Sequence, residues 1–226
     1  MKNTFGNNIS FTLFGESHGV AIGITIDGLP AGFAIDLERV RSDLDKRKPK
    51  GRISTQRKEK DDIHIISGFF EGYTTGTALT LLFKNNDTRS TDYKKTEGRL
   101  RPGHADFTAY EKYYGFQDYR GGGHFSGRLT TCLVAAGSIC AQILESQGVR
   151  IGSHIEKLYN INDDLFSFDT DMLKTQIEAM NQKDFAVLNA TKEEEMKAVI
   201  EAAASEGDSV GGILESAIIG LPTGLG

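Results

Sequence analysis

The chain has 226 residues, 38% of them hydrophobic and 25% charged, with a formal net charge of -5. That balance excludes a disordered chain and gives ample length for a real core, in one large domain or two small ones. Overall acidity excludes a general nucleic-acid binder; no apolar run approaches the roughly 18 residues that span a bilayer, and no signal peptide is visible, so a cytoplasmic protein is expected.

In chain order, residues 9–14 read as a short strand and 20–27 as a second, rich in β-branched side chains. Between them Gly15-Glu16-Ser17-His18-Gly19 is a glycine-bounded turn, which places His18 at a loop tip rather than in a core. Asp36 is the expected N-cap of a helix to about residue 46, with Leu37, Val40 and Leu44 on one face. Pro49 ends that helix. Residues 46–60 carry eight Lys/Arg and no continuous apolar stripe, predicting a loop that closes over an anionic ligand. Pinning of that loop by Asp43, Asp45, Asp61 and Asp62 is the competing reading. Residues 63–70 and 77–83 read as two strands around a turn-rich 71–76, and 85–98 as a polar loop.

The organising stretch is 101–128. Arg101-Pro-Gly-His104-Ala-Asp106 gathers a cation, an imidazole and a carboxylate within six residues. Arg120-Gly-Gly-Gly-His124-Phe125-Ser126-Gly-Arg128 is a glycine-rich turn opening onto an apolar-periodic segment. Such a turn presents free N–H groups and the positive end of a helix dipole to an anion. Arg101, Arg120 and Arg128 point to the same ligand charge, so the stretch reads as one wall of a site for a phosphorylated ligand. Phe107, Tyr110, Tyr113 and Tyr114 recur at helical spacing and read as core.

A helix is predicted over 126–147, with Leu129, Leu133, Ala136, Cys140, Ile143 and Leu144 on one stripe and Gly148 as its C-terminal cap. Cys132 and Cys140 lie on it as small, reduced core residues. A strand at 149–158, helices at 171–181 and 192–206, and a strand at 211–219 follow. The closing Gly-Leu-Pro-Thr-Gly-Leu-Gly reads as a turn cut short, predicting a C-terminally truncated fragment of a single domain over 1–226. Charge is uneven: residues 39–60 hold ten Lys/Arg against three Asp/Glu, while 156–208 hold thirteen acids against five Lys. A basic block in an acidic chain suits a small anionic substrate held by a few arginines; a solvated charged face is the alternative.

Gly15-Glu-Ser-His-Gly19, Arg47 and Arg52 with Ser-Thr-Gln-Arg-Lys-Glu at 54–59, Ser67-Gly-Phe-Phe-Glu-Gly-Tyr-Thr-Thr-Gly76, Arg101-Pro-Gly-His-Ala-Asp106 and Asp118-Tyr-Arg-Gly-Gly-Gly123 together resemble the chorismate synthase family. Glu206-Gly-Asp-Ser-Val-Gly211 and the closing turn fit as well, so the resemblance runs over essentially the whole chain in order. It implies an α+β fold with helices sandwiched between antiparallel sheets, incomplete at the C-terminus and assembled as a homotetramer. The adjacent strand pairs agree with that fold. It implies a lyase: anti-1,4-elimination of phosphate from 5-enolpyruvylshikimate 3-phosphate to chorismate, the last common step of the shikimate pathway of aromatic amino acid biosynthesis. Reduced FMN is the implied cofactor, with NADPH only where the enzyme reduces its own flavin, and no metal, nucleic acid or membrane is involved.

Carried onto this sequence, the resemblance implies that His18 protonates the departing phosphate and that His104 governs the flavin's protonation. Ser17, Arg47, Arg52, Arg101 and Arg128 hold substrate anions, and His124, Phe125 and Ser126 take the position that contacts FMN. Many family members have Arg-Ser-Ser at that position, so backbone N–H contacts carry over there better than side chains. The family's ring-proton acceptor, an aspartate of the C-terminal part, has no counterpart in these residues. A non-catalytic anion-binding or interaction module that keeps part of the fold is the alternative function.

Overall fold

The computed structural model describes residues 2–48, 61–85 and 98–225. Arg52 and most of the expected closing loop lie outside the described residues. The fold is α+β, and every strand pairing among the described residues is antiparallel. The single domain expected from the sequence contains two compact units, the first ending at Cys140 and the second formed by the described residues from Ala141 onward.

The first unit is built on strands β1 (Thr4–Gly6), β2 (Ser10–Gly15), β3 (Ala21–Asp27), β4 (His64–Ser67) and β7 (Leu79–Lys84), in the order β1-β2-β3-β7-β4. Alternation makes one face of its central pair wholly apolar: Ile22, Ile24 and Ile26 on β3 lie opposite Phe83, Leu81 and Leu79 on β7, all fully buried. Each such side chain contributes roughly 1.5–3 kcal/mol by leaving water. Helix α1 (Leu37–Arg47) starts where expected, because the Asp36 carboxylate accepts from the Glu38 and Arg39 N–H groups, and it buries Val40 and Leu44.

Residues 63–70 are not one strand. Gly68 adopts a φ of 79° and crosses so close to Leu79 that a Cβ would overlap the backbone, so the ladder ends there. The chain then forms a separate ribbon of β5 (Phe69–Phe70) and β6 (Tyr73–Thr74). The aromatic run after Asp106 is also not core. In helix α2 (Asp106–Lys112) only Ala109 is buried, and Phe107, Tyr110 and Tyr114 are half or more exposed. A small residue takes the inward position, so the rings point away from it.

Helix α3 (Thr130–Ser146) begins four residues later than predicted, after a 3-10 turn at Gly127–Leu129. Its buried face is Cys132, Ala135, Ala136 and Ile139; of the expected stripe Leu129 and Ala136 are buried, while Leu133 is exposed. Gly148 caps it as expected, donating to the Glu145 carbonyl. Residues 127–146 are long and apolar enough to cross a bilayer, contrary to the sequence reading. Arg128, at the head of this segment, is buried on a carboxylate, and the buried small-residue face is that of a core helix. Cys132 is completely buried, which pushes its thiol up to about 12.

The second unit pairs β10 (Gly212–Ile219), β8 (Arg150–Leu158) and β9 (Ile161–Asn162) in that order. Helix α4 (Thr170–Met180), capped by Asp169, packs on β8 and β10 and closes so tightly that a Cβ on Gly152 would meet Ile177 at 2.9 Å. Helix α5 (Ala190–Ser205), capped by Asn189, packs on β9. Two apolar clusters result, Phe166 with Ile177 and Met180, and Leu158 with Val187 and Met196.

Candidate active site

The β2–β3 turn carries Ser17 and His18, and it is not a loop tip: Ser17 is 1% and His18 7% exposed. The Gly121-Gly122-Gly123 turn covers them. Ser17 donates its N–H to the Gly123 carbonyl at 3.1 Å, and the Ser17 hydroxyl lies 3.0 Å from His18 Nδ1. Gly121, Gly122 and Gly123 have φ values of 58°, 91° and 53°, a run that side-chain-bearing residues rarely adopt. A Cβ on Gly121 would overlap the His18 ring, and one on Gly122 would stand 2.7 Å from His104 Cε1. The turn is therefore a spacer without side chains between two imidazoles.

Asp118 fixes the entry to the turn. It accepts from Arg120 Nε at 2.8 Å, from Nη2 at 2.7 Å and from the Arg120 N–H at 3.0 Å. These bonds hold the Asp118 carboxyl below its usual range and raise the Arg120 guanidinium. Arg120 is thus committed to Asp118 before any ligand arrives.

His104 stands in a second charged group. Its Nδ1 is 2.6 Å from Asp106 Oδ1, and Arg101 forks onto the same carboxylate with Nε 2.8 Å from Oδ2 and Nη2 2.9 Å from Oδ1. The Arg101 guanidinium beside Asp106 is the main reason its carboxyl sits far below the ordinary carboxylate range. Next to this group opens a cleft of about 580 Å³, lined by Arg101, Asp106, Tyr110, Tyr119, Gly122 and Phe125.

Arg47 and Arg128 form a third group around Asp61. Asp61 accepts from Arg47 Nη1 at 3.2 Å and from Arg128 Nη1, and the Asp61 and Arg128 side chains are nearly inaccessible. Arg47 also donates through Nε to the Thr130 hydroxyl at 3.1 Å. Asn85 ties this group to the turn at Ser17: its Oδ1 accepts from Arg128 Nε at 3.3 Å, and its Nδ2 donates to the Glu16 and Gly19 carbonyls at 2.9 Å each. Among the described residues of the basic block, Lys46 pairs with Asp43, Lys48 with Asp45, Arg47 with Asp61, Arg39 with Asp43 and Arg41 with Glu38.

The structure therefore brings Ser17, His18, Arg101 and His104 around one glycine turn, with Arg47 and Arg128 linked to it through Asn85. His124 ties the turn to the end of β2, with Nδ1 donating to the Gly15 carbonyl at 2.9 Å. The Phe125 ring lies 5.9 Å from that of Tyr113, tilted at 46°, and the Ser126 hydroxyl accepts from the Arg128 N–H. Sequence reasoning gave no role to Asn85 or Asp118, and named Asp61 only among the four carboxylates that would pin the basic loop, where it does pair with Arg47. Asp118 was findable as a carboxylate two residues before Arg120, whereas Asn85 ends a strand and carries no local cue. No cluster of His, Cys, Asp and Glu suited to a metal occurs among the described residues.

Comparison with known proteins bears on this arrangement. The family model for chorismate synthase matches residues 9–226. A chorismate synthase from Pyrococcus abyssi is 42% identical over 221 residues, covering 98% of this chain and 60% of its own length. Another from Sulfurimonas denitrificans is 43% identical over 225 residues, with 99% and 60% covered. A solved structure described as "Crystal Structure of Chorismate Synthase" superposes with a TM-score of 0.72 at 26% identity, covering 95% of this chain and 59% of that one. The chain thus spans about 60% of the length of the curated relatives it matches.

Proposed function

The chain belongs to the chorismate synthase family, and from that premise we propose that it takes part in the anti-1,4-elimination of phosphate from 5-enolpyruvylshikimate 3-phosphate. The observation that carries this reading is the placement of two imidazoles, His18 and His104, against adjacent glycines of one turn with arginines close by. In the reaction the C–O bond to phosphate and one ring C–H bond break and a second ring double bond forms, giving chorismate, inorganic phosphate and a proton.

His18 supplies the proton to the departing phosphate. In its protonated form the ring carries N–H on both nitrogens: Nδ1–H is given to the Ser17 hydroxyl, which itself reaches the Arg120 and Gly121 carbonyls at 3.4 Å, and Nε2–H is left to donate. The Arg47–Asp61–Arg128 group sets two guanidinium ions against one carboxylate, so it retains positive charge for the substrate's anionic groups. Arg101 and Arg52 add to that charge, the latter outside the described residues. Their planar forks suit phosphate and carboxylate oxygens better than lysine would.

The cleft beside His104 fits a flavin in size and lining. Its volume lies in the range of cofactor pockets, aromatic rings line it, and Gly122 brings backbone without a side chain to its wall. Arg101, Tyr110, Tyr119 and Phe125 line it and would hold reduced FMN there, with His124 and Ser126 on either side of Phe125 in the sequence. When bound, the reduced flavin supplies electron density to the departing system without net redox change. His104 holds or exchanges the proton at that cofactor. NADPH enters only if the chain reduces its own flavin. A cytoplasmic homotetramer acting on a small molecule, without nucleic acid or membrane, completes the reading.

The test is chorismate and phosphate formation from 5-enolpyruvylshikimate 3-phosphate with chemically reduced FMN, with a full-length family member as positive control. His18→Ala and His104→Ala are each expected to lower turnover by about 10²–10⁴-fold. Substrate binding with no chorismate formed would favour the anion-binding module instead.

A further inference from the structure

We propose that Asp106 is a positioning residue for His104: it accepts the hydrogen bond of the ring's Nδ1–H and leaves Nε2 as the nitrogen that exchanges a proton at the site. The inference rests on the reading of His104 as the group that handles the cofactor's proton. An ionised carboxylate can only accept, so the 2.6 Å contact between His104 Nδ1 and Asp106 Oδ1 requires a proton on Nδ1. Arg101 Nη2 lies 3.3 Å from the same Nδ1, but a guanidinium can only donate, so it cannot share a bond with a protonated nitrogen. Nη2 finds its acceptor 2.9 Å away on Asp106 Oδ1 instead.

Four donors thus converge on one carboxylate: the Arg101 N–H at 3.0 Å, Arg101 Nε at 2.8 Å, Arg101 Nη2 and His104 Nδ1. Three come from Arg101, which holds the carboxyl ionised, well below its usual range. On its other side the ring faces Gly122, where a Cβ would stand 2.8 Å from Nε2. Among the described residues, the charged groups bonded to His104 are Asp106 and Arg101, both on the Nδ1 side. Arg101-x-x-His104-x-Asp106 then acts as one unit, in which the arginine fixes the carboxylate and the carboxylate fixes the ring.

Asp106→Asn separates this role from a merely structural tie. Two of the Arg101 donors, its N–H and Nε, converge on Oδ2, so the single amide oxygen stays with Arg101. The amide nitrogen then occupies the Oδ1 position as a donor facing Nδ1, and the ring proton moves to Nε2. A comparable exchange beside a catalytic histidine leaves geometry intact yet lowers turnover about 10⁴-fold through the wrong tautomer.

The readout is ¹⁵N NMR of the chain labelled at its five histidines, with His104 assigned by the signal lost in His104→Gln. In the wild type Nδ1 is expected to stay protonated through a pH titration while the Nε2 shift moves; in Asp106→Asn the two exchange roles. An Nε2-protonated neutral ring in the wild type, or the same tautomer in both proteins, would overturn the proposal. The wild-type tautomer decides on its own even where the variant loses its fold, which the His18, His64, His124 and His154 signals report. With full-length enzyme, turnover in Asp106→Asn is expected to fall by about 10²–10⁴-fold at unchanged substrate KM. Expected tautomers in a wild-type protein that makes no chorismate would sink the functional reading and leave the orientation standing.

Discussion

His18 and His104 meet neighbouring glycines of one turn: a Cβ on Gly121 would overlap the His18 ring, and one on Gly122 would stand 2.7 Å from His104 Cε1. Residues 86 positions apart in sequence are thus set at a spacing fixed by a stretch of bare backbone. Both glycines have positive φ, so conformation and space select for glycine independently.

Gly121→Ala and Gly122→Ala should therefore each lose about 1–3 kcal/mol from backbone strain, plus the cost of moving an imidazole. Gly127→Ala is the control, since a Cβ there meets nothing within 4 Å and its φ is not positive. Thermal unfolding of the three variants decides the matter. Equal melting temperatures for all three would mean that the turn yields easily and spaces nothing.

Removing Asp61 should be more damaging than removing Arg47. Asp61→Ala leaves the Arg128 guanidinium buried without its carboxylate, a change that typically costs about 3–5 kcal/mol. Arg47→Ala should cost less, because Asp61 keeps its bond to Arg128 and the side chain removed is the more exposed of the two arginines. Urea denaturation of both variants measures the difference. A smaller loss for Asp61→Ala than for Arg47→Ala would contradict the buried role of the carboxylate.

Much of this was legible from local chemistry. The Asp36 cap, the Gly148 stop and the alternating β3 and β7 strands are all written within a few residues, and they stand where periodicity and capping place them. What was not legible depends on segments distant in sequence. His18 reads as a loop tip because its cover, Gly121, lies over a hundred residues on; the aromatics of α2 read as core because nothing local says that Ala109 takes the inward position. The glycine turn was visible as a site wall, but Arg120 and Arg128 already have carboxylate partners, which spacing alone could not reveal.

Acid should weaken the protein below the ordinary carboxylate range. Arg101 lowers Asp106 and Arg120 lowers Asp118; at Glu215 burial pushes up, but the Phe166 N–H and His154 outweigh it, so it too is lowered. A carboxyl whose folded pKa is depressed contributes stability that is present above its unfolded pKa, about 3.9–4.3, and is lost as pH falls through the folded value. Unfolding free energy should stay level with respect to these groups from neutral pH to about 5 and then decline. Asp118→Asn should flatten part of that decline, as denaturation measured across pH would show. An identical acid slope in the variant would remove Asp118 from the effect.

The second unit holds a histidine as deeply enclosed as any group near the site, and its role is expected to be structural. The His154 side chain is fully buried, with Nδ1 3.2 Å from Asp163 Oδ2, Nε2 2.7 Å from Glu215 Oε2 and the Phe166 ring 4.5 Å away edge-on. Asp163 also accepts from the Leu188 and Asn189 N–H groups, and Glu215 from the Phe166 N–H. One imidazole therefore joins β8, β10 and the segment after β9 through two carboxylates. His154→Leu keeps bulk but leaves the fully buried Asp163 carboxylate short of a donor, so a loss of about 3–5 kcal/mol is expected. A double-mutant cycle with Glu215→Gln should give a coupling of about 0.5–3 kcal/mol, because the two side chains share a direct bond. Additive losses in that cycle would show that His154 is held by Asp163 and packing alone, with the Glu215 contact contributing nothing.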